Sequence, residues 1–311
     1  WTDVFQGTLM TMALIVVPGV VLAPAEGIGF RASLDAVNPS LLDPFRDMEG
    51  SPLGVAGIVS LLGWGLAYFG QPHILARFKA IRSHHDVPRA ALIGVSWSGV
   101  IYVAAVLVGI CGVFDLGTDL PDPEKVFMEL VRHLFHPLVA GFLLAAILAA
   151  IMSTVDSQLL VSSSALAEDL YPLFTGESLD PVERLRAGRF CVVILAVIAT
   201  VIALDENSKV LDVVSYAWGG LGAALGPSVL ISLYWPRMTR QGAIAGLITG
   251  GAVVIVWRQL GGGVFDVYEL VPAFLASCIA VIVASLATAP PGETVRSAFA
   301  QMRASLRTGR A

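Results

Sequence analysis

The stretch Met152-Ser153-Thr154-Val155-Asp156-Ser157-Gln158 places three hydroxyls, a carboxylate and an amide in an otherwise apolar run. On a helix, Ser153, Asp156 and Ser157 share a face through i, i+3 and i+4 spacing. Hydroxyl and carbonyl oxygens beside one carboxylate suit a hard cation, whereas softer metals want the Cys or His that this stretch lacks. An ionisable group at membrane depth costs at least about 2.5–3.5 kcal/mol on insertion, which makes Asp156 a functional candidate. A plainer reading stays open beside it. Ser and Thr can bond back to carbonyls of their own helix while Asp156 pairs with a residue on another helix.

A second cluster is Gly63-Trp64-Gly65, followed by Tyr68 and Pro72 at steps of four, which on an α-helix puts Trp64, Tyr68 and Pro72 on one face. A tryptophan between glycines at mid-span lies away from the interfacial belt that membrane aromatics prefer. Trp64 and Tyr68 are therefore candidates for a substrate wall, with glycine packing and aromatic core filler as the equal alternative. Small residues at Gly219, Gly222, Ala223 and Gly226, with Pro227 after them, allow close helix approach and a bend, so that segment is either a packing helix or a moving gate. The chain has no H-E-x-x-H, G-x-S-x-G or P-loop pattern, and its five histidines fall mainly in polar connections. ATP hydrolysis and enzyme catalysis gain no support, and no cofactor is implied.

The elements that must position these residues are membrane spans. Of 311 residues, 56% are apolar and 14% charged, against about 25% charged in soluble domains. A span needs roughly 20 apolar residues. Hydrophobic runs bounded by Gly, Pro and charge fall near 5–23, 53–75, 91–114, 138–165, 188–204, 211–235, 240–257 and 269–289, which predicts an all-α polytopic membrane protein of about eight spans. Of the 19 basic residues, 13 lie at 76–90, 166–189, 236–240 and 290–311, so the positive-inside bias predicts a cytoplasmic location for both ends. The segments 24–52 and 115–137 then form an external cap with short surface helices, and the chain from Ala289 is a tail that is amphipathic at most. A formal charge of −5 with no basic run excludes nucleic acid as a partner. Cys111, Cys191 and Cys278 lie in separate apolar runs and read as small buried residues. The chain opens on Trp1 with no Met or leader ahead of its first span, which predicts that a segment precedes it.

The run from Gly63 through Gln71-Pro72-His73-Ile74-Leu75-Ala76-Arg77 to Phe78 resembles the sodium:solute symporter family, in its bacterial sodium/proline branch. Similar to the same family are Ala146 to Thr154, Glu168-Asp169-Leu170-Tyr171, Ser215 to Pro227, and Arg237 to Gly246. The resemblance implies a leucine-transporter-like fold of two inverted five-helix repeats with sites at broken helices near the midplane. Residues 1–23 would be the last helix of the first repeat, 24–52 an external loop, 53–235 the second repeat, 236–289 two accessory helices and 290–311 a cytoplasmic tail. The remainder of the first repeat would be absent. Carried over by position, Trp64, Tyr68 and Pro72 would bind substrate, and Ser153 and Thr154 sodium. Asp156 departs from the proline branch, and with Ser157 it matches relatives that hold a second ion.

The resemblance therefore implies sodium-coupled symport of a small amino acid, L-proline above all, by alternating access in a bacterial cytoplasmic (inner) membrane. The alternatives are symport of another small solute, a proton-coupled variant using Asp156, and a transporter-like membrane sensor that binds solute without concentrating it.

Overall fold

The computed structural model describes residues 2–25, 29–47, 50–176, 180–205 and 209–308; Trp1, parts of the expected external loop and the last three tail residues lie outside them. Thirteen α-helices follow in chain order: α1 (Thr2–Ala25), α2 (Phe30–Val37), α3 (Val55–Gly63), α4 (Pro72–Lys79), α5 (Val87–Leu116), α6 (Val126–Leu134), α7 (Pro137–Ser164), α8 (Tyr171–Thr175), α9 (Pro181–Ala203), α10 (Val210–Tyr234), α11 (Arg240–Arg258), α12 (Leu270–Ala287) and α13 (Glu293–Thr308). Among the described residues there is no strand beyond an isolated bridge between Arg46 and Pro52.

Among the described residues, seven helical segments are long and apolar enough to cross a bilayer. They coincide with seven of the eight expected spans. The remaining one, near 53–75, is discontinuous: α3 ends at Gly63, a 3-10 segment runs from Trp64 to Gly70, Gln71 is extended, and α4 starts at Pro72. One span also exceeds its expected length. The helix expected over 138–165 continues through a π-helical turn, Ala165–Leu170, into α8 and ends at Thr175. Glu168 and Asp169 lower the hydropathy there without ending the helix, because Ala, Leu and Glu are good helix formers. Asp156 thereby stands near the middle of a continuous helical run.

The chain divides into two compact units, residues 1–52 with 85–195, and 53–84 with 196–311. In the first, α1 packs against α5 and α7. Ala13, Val17 and Val21 form one stripe of α1, and they meet Val108 and Cys111 of α5 and Ala140, Leu143 and Ala146 of α7. Cys111 is fully buried and its thiol donates to the Pro18 carbonyl at 4.0 Å, while Cys191 and Cys278 are half-buried. Outside the span, His133 Nδ1 lies 2.7 Å from Asp115, tying α6 to the end of α5.

In the second unit, α10, α11 and α12 pack on one another, and α10 and α12 also pack on the 3-10 segment, around Ala67, Ala223, Val254, Leu270, Ala273 and Phe274. Thr239 caps α11 by accepting from Gly242 N at 3.2 Å. Arg237 closes the far end of α12, donating to the Ser285 and Thr288 carbonyls at 2.8 and 2.9 Å. Pro227 stands inside α10 and is buried. Its ring nitrogen cannot donate, so the Ala223 carbonyl four residues back loses its helical partner. Gly250 of α11 covers that carbonyl so closely that a Cβ at 250 would collide with it.

The adjacent Gly251 faces open space. Gly250→Ala is therefore expected to lower unfolding stability by about 1–3 kcal/mol through overpacking. Gly251→Ala should be neutral or slightly stabilising through helix propensity. Thermal unfolding of the two variants in the same detergent checks the difference.

Candidate functional site

The segment that leaves α-helical geometry is also the one that carries the candidate aromatics. Glycines at 63, 65 and 70 remove side-chain bulk, and the 3-10 geometry turns every three residues. The step-of-four alignment of Trp64, Tyr68 and Pro72 therefore fails, because the segment is not α-helical and Gln71 adopts φ −82°, ψ 112° before α4 begins. Pro72 takes the first position of α4, where its missing N–H costs nothing. The Gln71 carbonyl accepts from Ile74 N at 3.1 Å and Leu75 N at 3.0 Å, opening the new helix.

Trp218 of α10 brings the aromatics together. The Trp64 ring stacks on Trp218 at 6.0 Å with 20° between planes, and on Tyr268 at 5.8 Å with 18°. Tyr68 meets Trp218 edge-on at 4.9 Å. Three hydrogen bonds hold the frame. Trp218 Nε1 donates to the Trp64 carbonyl at 3.1 Å, Gln71 Nε2 donates to the Trp218 carbonyl at 3.2 Å, and Tyr268 OH donates to the Ser215 carbonyl at 2.6 Å. The Tyr268 amide donates in turn to Ser60 Oγ at 2.9 Å. Burial, with Glu269 adding to it, pushes the Tyr268 phenol above its usual range, so it stays a neutral donor. Beside it Arg258 pairs with Glu269 at 3.3 Å and lies 4.7 Å over the Tyr216 ring.

Small residues make this approach possible. A Cβ on Gly70 would meet the Leu221 carbonyl at 2.6 Å and Gly222 Cα at 2.9 Å, and one on Gly222 would meet Ala67 Cα at 2.5 Å. Gly219, Gly222, Ala223 and Gly226 are all buried, so the small face of α10 is the surface that receives the 3-10 segment. Trp64 is half-buried within the stack, whereas Tyr68 remains 40% exposed. The glycines therefore serve packing and Trp64 contributes to it, while Tyr68 presents an aromatic surface with an apolar body and a polar tip. Gln71 and Tyr268 carry the frame, and the spacing argument does not find them. Gln71, a buried amide beside Pro72 in an apolar span, offers a local signal; Tyr268 offers none, because its partners Ser60 and Ser215 are far away in sequence.

On α7, Ser153 Oγ and Thr154 Oγ1 both donate to the Ala150 carbonyl, at 3.0 and 3.2 Å. Ser157 Oγ donates to the Ser153 carbonyl at 3.0 Å. The hydroxyls do bond back to their own helix, yet this does not remove their use as ligands. A hydroxyl that gives its proton to a carbonyl keeps its lone pairs, so Ser153 Oγ and Thr154 Oγ1 can still accept, whereas the Ala150 carbonyl, which takes both hydroxyl protons, has no lone pair to spare. Asp156 is exposed on this helix and, among the described residues, takes part in no ion pair.

Because Gln71 is 2% exposed, replacing its amide leaves the Trp218 carbonyl without that donor. Gln71→Leu is expected to cost about 1–3 kcal/mol, and Gln71→Glu at least as much, since an ionised carboxylate cannot donate. Thermal unfolding, with tryptophan emission reporting the Trp64–Trp218 stack, measures both.

Comparison with known proteins places this geometry. Residues 1–250 match the Sodium:solute symporter family. The high-affinity proline transporter PutP of Bacillus subtilis is 45% identical over 303 residues, covering 96% of this chain and 63% of the relative. The osmoregulated proline transporter OpuE of the same organism is 44% identical over 307 residues, covering 97% and 61%. The sodium/proline symporter of Salmonella typhimurium is 43% identical over 308 residues, covering 97% and 60%. The chain thus spans somewhat over half the length of these relatives. Among solved structures, a Na+-coupled sialic acid symporter in a substrate-bound outward-open state superposes with a TM-score of 0.72 at 16% identity, over 94% of this chain and 63% of that one, a likeness of fold. A match over residues 1–250, on an all-α multi-pass architecture of the leucine-transporter type, makes this chain a member of the sodium:solute symporter family.

Proposed function

We propose that the protein takes part in sodium-coupled uptake of L-proline by alternating access. The reading is supported by two features in different units of the chain, the Ser153 and Thr154 hydroxyls on α7 and the aromatic surface on the broken span at Trp64, Tyr68 and Pro72. Family membership supports sodium as the coupling ion, and the names of the relatives support proline. In this reading Ser153 and Thr154 bind sodium, Trp64 and Tyr68 enclose the apolar ring of the substrate, and Pro72 sets the break that exposes backbone near it. Asp156 and Ser157 offer oxygens for a second ion. Residues 1–23 close the first repeat, 24–52 form an external loop, 53–235 make the second repeat, 236–289 the accessory helices and 290–311 a tail. The protein works in a bacterial cytoplasmic membrane with both ends of this segment on the cytoplasmic side, and its partners are proline, sodium and lipid rather than an organic cofactor or nucleic acid. It is a carrier and not an enzyme.

One sodium ion suffices energetically. A potential of about 100 mV contributes about 2.3 kcal/mol per charge, and a tenfold sodium gradient about 1.4 kcal/mol more. Together they support roughly several-hundredfold accumulation.

The test is uptake of labelled proline by membrane vesicles from cells expressing the protein, at varied sodium. Thr154→Ala should raise the sodium concentration for half-maximal uptake about tenfold or more, the equivalent of about 1.4 kcal/mol of lost ligand interaction. Tyr68→Ala should raise the proline KM and leave sodium dependence nearly unchanged. Uptake that follows pH and ignores sodium would transfer the coupling role to Asp156 and a proton.

A further inference from the structure

The amphipathic helix α13 begins shortly after α12 leaves its span. Thr288, Ala289, Pro290, Pro291 and Gly292 link Ala287 to Glu293. Five residues reach at most about 17 Å when fully extended, so α13 starts within reach of the lipid headgroups. Its apolar residues Val295, Phe299, Met302 and Leu306 recur at i, i+4, i+7 and i+11, which gathers them into one narrow stripe. Val295 and Leu306 at its two ends are 58% and 66% exposed, and Phe299 and Met302 between them are half-buried.

Charge is arranged around the stripe with one sign. From Glu293 onward the sequence has four arginines and a single acid. By helical geometry Arg296 and Arg303 fall about 70–90° from the centre of the stripe, along the same flank. Ser297 falls on the far side. The Arg303 guanidinium lies 5.7 Å over the Phe299 ring, at the boundary between apolar stripe and basic flank. A narrow apolar face, low net hydrophobicity and a basic edge are the pattern of a helix that lies in a membrane interface. Arginine can keep its stem among acyl chains while its head reaches a phosphate.

We propose that α13 lies flat in the bilayer surface where α12 ends, with the Val295–Leu306 stripe among acyl chains and the arginine flank on the phosphates of anionic lipids. A soluble protein partner could cover the stripe, but the one-signed basic flank and the short tether to a membrane span favour an anionic lipid surface. The short tether to α12 also keeps the lipid surface at high effective concentration. The helix thereby makes the accessory end of the protein sensitive to lipid charge.

The test uses the full chain with Cys111, Cys191 and Cys278 replaced by Ala and a single spin-labelled cysteine, Val295→Cys or Ser297→Cys. Each variant is reconstituted in phosphatidylcholine vesicles with and without phosphatidylglycerol. With phosphatidylglycerol present, the label at 295 should be shielded from a water-soluble relaxant and accessible to oxygen, and the label at 297 should stay open to water. Each arginine near an anionic surface contributes about 1 kcal/mol, or about fivefold in the shielded-to-exposed ratio. Adding Arg296→Gln and Arg303→Gln to the Val295→Cys chain should therefore lower that ratio by about 25-fold and remove most of the phosphatidylglycerol effect. Equal water accessibility at 295 and 297 in phosphatidylglycerol vesicles would overturn the proposal. So would shielding at 295 that ignores both lipid charge and the arginine substitutions, which would assign the stripe to a protein surface. A circular-dichroism comparison of the variants separates a failure to dock from a failure to fold.

Discussion

Backbone that leaves the α-helix inside an apolar span must find other partners for its polar groups or be covered by protein. The 3-10 segment from Trp64 to Gly70 meets that demand by lying against α10, where Gly70, Gly222 and Gly226 allow backbone to approach backbone. Much else in the second unit follows from this contact. It brings the Trp64 carbonyl to the Trp218 indole, sets Gln71 under the Trp218 carbonyl, and leaves Tyr68 at the edge of the stack. Pro227 repeats the pattern one layer further on. It frees the Ala223 carbonyl inside α10, and Gly250 lets α11 close over it. Breaks in the helical ladder thus alternate with glycines on the neighbouring helix. A side chain larger than hydrogen at any of these glycines separates the helices instead of filling a gap.

The two candidate regions differ in chemistry and belong to different units of the chain. On α7, the Ser153 and Thr154 hydroxyls share the Ala150 carbonyl as acceptor. On the broken span, aromatic rings held by four hydrogen bonds to backbone or to Ser60 make a surface that can alter with the break itself. Symport requires that occupancy of an ion site change the affinity of a solute site, which is what the proposed function asks of these two regions. Asp156 adds a carboxylate near the middle of the same helical run. Its exposure without an ion pair is costly in a membrane unless a cation or a proton offsets it.

Legibility in the sequence followed the range of the interaction. Hydropathy located seven continuous spans, four of them to within about three residues at each end, while the helices over 84–116, 137–175 and 181–203 run beyond their apolar runs into polar sequence. The glycines of 54–70 signalled that the remaining span was unusual, but they did not distinguish a kinked α-helix from a 3-10 segment. The shared face expected for Trp64, Tyr68 and Pro72 therefore gave way to convergence on Trp218. The extension of α7 to Thr175 was hidden because Glu168 and Asp169 end the apolar run while the helix continues. Gln71 was readable as a buried amide in an apolar stretch. Tyr268 was not, since the bonds that define its role reach to Ser60 and Ser215, and one sequence without tertiary contacts does not encode that pairing visibly. Of the plainer reading of the α7 stretch, one half is seen, since Ser153, Thr154 and Ser157 bond back to carbonyls of their own helix, while among the described residues Asp156 forms no ion pair with another helix.

The account's central claim is a linkage between sodium and proline, and linkage is reciprocal for equilibrium binding. Equilibrium binding of labelled proline to the purified protein at several sodium concentrations, paired with sodium binding at several proline concentrations, measures it directly. The account predicts that sodium tightens proline binding, that proline tightens sodium binding by the same factor, and that Thr154→Ala reduces both factors together. Proline binding that is indifferent to sodium would contradict it.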